Sequence, residues 1–250
     1  MDGLSMVKEI KNIDKNQPIL MMSAFDDKEN LLKAINMGCN GFVSKPVNID
    51  FLYDKLNSIA QKLYDEKEKQ NLKNAEMQKL YKLAHYDTLT NIPNKFLFEI
   101  ELSRAASQAQ RDKSMIALFF IDLDNFKKVN DTFGHEAGDY TLKTIVDNMQ
   151  KVIRNEDILA RRSGDEFLLM VRGNCEREDL SSLANKIIKA TSTPIRYFND
   201  VIFISSSIGI SVFPSDASSP QELINFSDKA MYKAKRAGKS HYVFYKNLIC

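Results

Sequence analysis

Between Ile49 and Tyr86 the chain contains neither glycine nor proline and is dense in Lys, Glu, Gln and Asn. A stretch this long without a helix breaker, and too polar to bury, is predicted to form one solvated helix that divides the chain into a part before it and a part after it. Leu56, Ile59, Leu63, Met77, Leu80 and Ala84 recur in steps of three and four, the spacing of a coiled-coil seam. Glu66, Gln70 and Lys73 fall in the same register and weaken its middle. A plain linker helix and a self-pairing one both satisfy this pattern.

Ahead of the divide, QPILMMSAF (Gln17 to Phe25) and GFVSKP read as short strands, with DDKENLLKAINMG as a helix between them. Strand, helix and strand in alternation is the rhythm of a parallel α/β sheet. After the divide the pattern is different. NKFLFEIELSRAASQAQRD is predicted helical, MIALFFID a buried strand and GDYTLKTIVDNMQKVIRN a second amphipathic helix. DILA and EFLLMV then flank a turn placed at Ser163 and Gly164, and EREDLSSLANKIIKA is a third helix. PIRYFNDVIFISSSIGISVFP reads as a hairpin turning at Asn199 and Asp200. PQELINFSDKAMYKAKRAG is a last helix, stopped by Gly238 ahead of the strand HYVFY. Helices on a partly antiparallel sheet predict an α+β sandwich of palm-like, ferredoxin-like type.

Composition narrows the function classes. A net charge of +2 over 250 residues gives no polyelectrolyte signature for nucleic acid or an anionic membrane. The longest apolar runs, MIALFFI and VIFI, fall far short of the ~20 residues of a spanning helix, and MDGLSMVKEI has no signal-peptide pattern, so a cytoplasmic protein without a membrane partner is expected. Cys39, Cys175 and Cys250 lack the spacing of a zinc site or disulfide framework and read as isolated thiols.

The chemistry starts where the strand MIALFFID ends in Asp122-Leu123-Asp124. A carboxylate on a rigid strand end can be a site acid, or it can be an ordinary helix cap or turn acid. The string IDLDNFKKVNDTFGHEAGD then packs Lys127, Asn130, His135 and Asp139 around Gly134 and Gly138, a set of donors and acceptors suited to a purine edge and phosphates. RRSGDEF adds Asp165 and Glu166 beside a tight turn.

These two strings, preceded by DTLTNIPNK and followed by DKAMYKAKRAGK, resemble in order and register the GGDEF family of diguanylate cyclases, from Asp87 to about Tyr245. The resemblance implies a nucleotidyl cyclase palm that condenses two GTP into cyclic di-GMP and pyrophosphate, with Mg2+ or Mn2+, one GTP being held by each subunit of a homodimer. It implies that Asp122 and the Leu123 carbonyl ligate metal. Asp165 would be the second metal carboxylate and accept the proton of the attacking 3′-hydroxyl, with Glu166 beside it. Hard cations want such oxygen ligands, and two of them can clamp the attacking and leaving oxygens of an in-line displacement. Asn130 and Asp139 resemble the guanine readers, with His135 in the same segment; Lys127 offsets phosphate charge; Lys235 and Lys239, one turn apart on the last helix, face one triphosphate. Arg154 and Asp157 fit the family's RxxD signature for cyclic di-GMP as product inhibitor.

The signature departs from the family at two places. Lys239 stands where Arg is common, which keeps charge and loses bidentate geometry. Ser163 replaces the first glycine. If that position requires positive φ, the side chain costs roughly 1–2 kcal/mol of strain; if it allows close backbone approach to a ligand, the hydroxyl crowds the ligand. The alternative to an active cyclase is therefore a degenerate domain that binds GTP or cyclic di-GMP without turnover.

The amino-terminal part resembles the second half of a response-regulator receiver, in MDGLSMVKEI, in QPILMMSAF with Ser23 at the switch hydroxyl position, and in GFVSKP with Lys45 and Pro46. The family's phosphoacceptor lies upstream of the MDG segment and Asp2 does not match it, so phosphorylation at the usual place is not expected. The expected organisation is a partial receiver at 1–50, a helical linker at 51–86 and a catalytic domain at 87–250.

Overall fold

The computed structural model describes residues 2–24, 28–173 and 176–248. Cys175 and Cys250, Phe25 at the end of the first predicted strand, and Asp26 and Asp27 at the start of the next helix lie outside the described residues. The chain forms two compact units, Met1–Lys79 and Leu80–Cys250. No helix among the described residues is long and apolar enough to cross a membrane.

The first unit opens with α1 (Gly3–Ile13), where Asp2 caps the helix by accepting the Ser5 amide at 2.7 Å. Strands β1 (Leu20–Ala24) and β2 (Gly41–Lys45) pair in parallel, Leu20 against Gly41 through Ala24 against Lys45, with α2 (Lys28–Asn36) between them. Among its described residues Val7, Ala34 and Val43 are the buried apolar ones, while Met22 and Phe42 stay exposed. A two-stranded sheet with so little buried surface is below the usual size for independent stability. Helix α3 (Ile49–His85) follows as one uninterrupted element and buries none of its residues. Leu56, Leu63, Met77 and Leu80 on the predicted seam are all exposed.

The second unit contains α4 (Lys95–Asp112), β3 (Met115–Asp124), α5 (Phe126–Phe133), α6 (His135–Gln150), β4 (Ile158–Ser163), β5 (Glu166–Gly173), α7 (Arg177–Thr191), β6 (Ile195–Tyr197), β7 (Asp200–Ile202), β8 (Ser205–Phe213), α8 (Pro220–Arg236) and β9 (Tyr242–Phe244). Its main sheet has the order β4-β5-β3-β8-β9, antiparallel except for the parallel β8–β9 edge. The period of two on β3 sorts its side chains between two cores. Ala117, Phe119, Ile121 and Leu123 pack with α6 and α7; Ile116, Leu118 and Phe120 pack with α4 and α8. The same parity puts Asp122 and Asp124 on the α8 side of the sheet.

Two turns lie elsewhere than the residue types suggested. Ser163 and Glu166 are cross-strand partners, so the tip is Gly164-Asp165, because the left-handed step falls on Gly164 at φ +52°. The predicted hairpin at Asn199-Asp200 turns instead at Phe198-Asn199, with Tyr197 opposite Asp200 and Phe198 at φ +51°. Strands β6 and β7 form their own small sheet, and the long strand that was read as the hairpin's second arm is β8, at the heart of the main sheet.

Strand β8 alternates Ser205, Ser207, Gly209 and Ser211 with Ser206, Ile208 and Ile210. Helix α8 lies against the Gly209 side so closely that a Cβ there would sit 1.9 Å from the Ser227 carbonyl oxygen and 2.1 Å from the Met231 amide nitrogen. Backbone cannot yield as a side-chain tip can. We expect Gly209→Ala to lower the unfolding free energy by about 2–3 kcal/mol or more, measured as the shift in urea midpoint; an unchanged midpoint would show that α8 lifts from the sheet at no cost.

Candidate active site

Asp122, buried near the end of β3, lies opposite Glu166 on β5, and residues opposed in an antiparallel pair project to the same face. Asp165 occupies the turn just before β5, where its carbonyl oxygen accepts the Leu123 amide at 3.2 Å. Two acids far apart in sequence are thereby held beside a third by ordinary sheet registry. Lys235, near the end of α8, brings its Nζ to 2.6 Å from Asp122 Oδ1, an ion pair outside hydrogen-bond alignment. Burial pushes the Asp122 carboxyl up to about 6, with Lys235 pulling it down and Asp165 and Glu166 pushing it up. Burial likewise raises Asp165. Asp228 on α8 adds a carboxylate to the same field: burial raises it, and it interacts with Arg162, Glu166 and Lys235.

Asp124, two residues on, is a different kind of acid. It is buried and accepts hydrogen bonds from the Ser205 hydroxyl at 2.7 Å, the Ser207 hydroxyl at 2.7 Å and the Ser240 amide at 3.0 Å. The turn-acid reading of the DLD segment therefore belongs to Asp124. It ties β3, β8 and the segment after α8 together. Sequence reasoning left it without a role; the signal was its spacing of two from Asp122 opposite a serine-rich strand.

The remaining candidates sit on α5, α6 and the end of α8. Lys127 is exposed on the first turn of α5, and His135 and Asp139 are exposed on α6. Asn130 is half-buried, and its Oδ1 occupies the space where a Cβ on Gly138 would come within 1.9 Å. Gly138 is thus a close-approach glycine that sets Asn130 against the helix carrying Asp139, a role the sequence pattern did not distinguish from a turn.

Lys239 requires a correction. Helix α8 ends at Arg236, so Lys235 and Lys239 do not share a helix face. Gly238 at φ +127° and Lys239 itself at φ +63° turn the chain back, and Lys239 Nζ donates to Asn125 Oδ1 at 2.8 Å, at the start of α5. A tertiary turn, and not a helical repeat, brings the second lysine to the strand end.

Arg154 and Asp157 lie apart, at the far end of β4 from the Gly164 turn. Asp157 Oδ2 accepts the Arg154 amide at 2.9 Å, while Oδ1 is buried without a partner among the described residues. Burial raises this carboxyl. The Arg154 guanidinium is exposed beside a cleft of about 360 Å³ that Asp157, Gln150 and Ile158 also line.

The signature turn is anchored from outside. Arg161 pairs with Asp87 at 3.0 Å, with both side chains largely buried, and its Nε donates to the Gly164 carbonyl at 2.8 Å. Neither partner was singled out by the sequence reading.

Among the described residues no three acid, histidine or cysteine side chains form a ready-made metal cluster. A small, hard dication held by one or two carboxylates and substrate phosphates needs no such cage, and the oxygen-only donors at Asp122 and Asp165 suit it.

A family model described as "Diguanylate cyclase, GGDEF domain" matches residues 84–241, and one described as "Response regulator receiver domain" matches residues 1–57. Diguanylate cyclase TpbB of Pseudomonas aeruginosa is 37% identical over 189 residues, covering 75% of this chain and 41% of that protein's length. The solved GGDEF domain of TpbB aligns with TM-score 0.63 at 35% identity, over 66% of this chain and 99% of that one. The GGDEF domain of DgcB from Caulobacter crescentus, solved in complex with c-di-GMP, aligns with TM-score 0.61 at 27% identity, over 65% of this chain and 96% of that one.

In the metal-free protein, Asp122 holds its proton to about pH 6 when folded and releases it near 3.8 when unfolded. Between those values the folded state binds the extra proton, so this group's contribution to stability falls as pH rises. Asp122→Asn is expected to raise the unfolding free energy at pH 7 by on the order of 1–2 kcal/mol, the loss of Lys235's partner being set against the relief. Chemical denaturation should show that advantage growing from 3.8 to about 6 and flat above. A destabilised variant at pH 7 would contradict it.

Proposed function

Because the chain belongs to the family of diguanylate cyclase GGDEF domains, we propose that it condenses two GTP into cyclic di-GMP and two pyrophosphates in the cytoplasm, one GTP on each subunit of a homodimer. The observation that carries this reading is the pairing of Asp122 with Glu166 across β3 and β5, with Asp165 in the same electrostatic field and Lys235 against Asp122.

In each half-reaction the 3′-oxygen of one GTP attacks the α-phosphorus of the other, the bond to the β-phosphate oxygen breaks, and pyrophosphate leaves. Asp165, on the rigid turn, takes the hydroxyl proton. Asp122 and the Leu123 carbonyl, with Asp165, would hold Mg2+ or Mn2+, which supplies charge stabilisation and polarises the phosphate when bound. Lys235 stands on the carboxylate that such a cation would occupy, so binding of the charged nucleotide is expected to draw Lys235 from Asp122 toward the phosphates. Lys127 and Lys239 add charge around the same strand end. Asn130 presents an amide and Asp139 a carboxylate to the guanine edge, with His135 on the same helix start.

The assignment of 1–50 as a partial receiver, 51–86 as linker and 87–250 as the catalytic domain accompanies this reading. The apolar seam of α3, exposed in a single chain, supports pairing of two copies to bring two GTP together. The degenerate alternative rested on Ser163. Its strain argument has no basis here, because the positive φ belongs to Gly164.

Purified protein with GTP and Mg2+ is expected to form cyclic di-GMP, and Asp165→Ala to lower the rate at least about 1000-fold, by chromatography of products. Absence of product from a folded dimer at high protein concentration would select the binding-only alternative. The buried, partnerless Oδ1 of Asp157 beside the exposed Arg154 supports cyclic di-GMP binding at that cleft. Arg154→Ala is expected to weaken product affinity by about ten-fold or more in calorimetry; an unchanged affinity would remove the product site from this cleft.

A further inference from the structure

Ser163 is the last residue of β4, exposed, and the direct cross-strand neighbour of Glu166. Its hydroxyl donates to Glu166 Oε2 at 3.1 Å, and Arg162 Nη1 reaches the same oxygen at 2.5 Å. The arginine is itself seated, with its guanidinium carbon 5.3 Å from the centre of the Phe120 ring, whose side chain is fully buried. Among the described residues, both hydrogen bonds to the Glu166 carboxylate therefore fall on Oε2, and the donors come from two consecutive residues of one strand. Two donors on a single oxygen restrict both the rotamer of a flexible side chain and the plane of its carboxylate. Glu166 faces Asp122 across the β3–β5 pair, so the hold on its Oε2 sets how this carboxylate stands toward Asp122. A glycine at 163 has no side-chain donor and would leave Arg162 as the single side-chain tether.

We propose that Ser163 is a positioning residue: with Arg162 it fixes the Glu166 carboxylate beside Asp122, one of the two acids that would hold the divalent cation accompanying the nucleotide. This rests on the cyclase reading above. The change from glycine is then an added constraint on the acid next to it, and restoring glycine makes the site worse in this chain. The isolated ion pair of Arg162 and Glu166 is half-exposed and weak by itself. The hydroxyl contributes by converting one tether into a two-point hold.

The test measures Mn2+ binding to the full chain by loss of the free-ion electron paramagnetic resonance signal, with α,β-methylene GTP present so that no turnover occurs. Ser163→Ala and Ser163→Gly are expected to weaken Mn2+ binding roughly three- to ten-fold, and Ser163→Thr, which keeps the hydroxyl, to stay within about two-fold of wild type. In turnover assays, the Mn2+ concentration giving half-maximal rate should rise in the same ratio while the rate at saturating Mn2+ is recovered. Equal or tighter Mn2+ binding by the alanine variant overturns the role, as does a weakening that threonine fails to rescue or that tracks a lowered unfolding midpoint. If wild type holds no more Mn2+ than the nucleotide alone, the cyclase reading falls with it; if wild type binds Mn2+ and makes product while the variants match it, only the role of Ser163 falls.

Discussion

The architecture of the site depends on one steric allowance, the absence of a side chain at Gly209. Helix α8 rests its own backbone on strand β8 there, at a separation that no Cβ permits. The allowance extends along the strand, where Ser205, Ser207 and Ser211 lie on the same side ahead of Phe213 at its end, and along the helix, where Ser227, Ala230 and Ala234 are buried. Small residues on both elements let a helix pack unusually close, and closeness decides where its last turn points. Lys235 reaches Asp122 from that turn. A helix held one side-chain layer further out would leave Asp122 buried with no cation near it.

That burial is costly, and the arrangement of charges shows how the cost is distributed. Asp122 sits on the apolar side of a fully packed strand with two further carboxylates nearby, so its ionised form is disfavoured. A single lysine offsets this only in part. Asp124, equally buried, has its charge met by three hydrogen bonds and is structural. The contrast between neighbours of identical chemistry separates a carboxylate met by three hydrogen bonds from one buried beside a single lysine. The Arg161–Asp87 pair and the Gly164 carbonyl bond hold the signature turn from the opposite side. Asp165 and Glu166 thus stand on a braced element and not on a free loop.

Much of this was legible without coordinates. The breaker-free run specified α3, the continuous apolar run of MIALFFID specified a strand buried on both faces, and Asp122 and Asp124 were read at its end. Less legible were the features set by backbone geometry. Turn composition located the tip at Ser163-Gly164, whereas strand pairing runs on through Ser163 and leaves the left-handed step to Gly164. A helical repeat seemed to align Lys235 with Lys239, yet the helix stops first and a glycine-assisted reversal carries Lys239 to Asn125. Gly138 and Gly209 look alike in sequence to any turn glycine; what each makes room for lies on another element.

Local alternation and helix spacing are properties of consecutive residues, so the chain by itself determined which elements form and which face of each is apolar. It also carried the motifs of the GGDEF family in family order. Which carboxylate would be satisfied and which left poised, which lysine would meet it, and that Ser163 would bond to Glu166 depended on distances between segments far apart in the chain. Those distances are set by packing: how closely α8 can approach β8, and how β3 registers against β5. Only the tertiary structure could decide them.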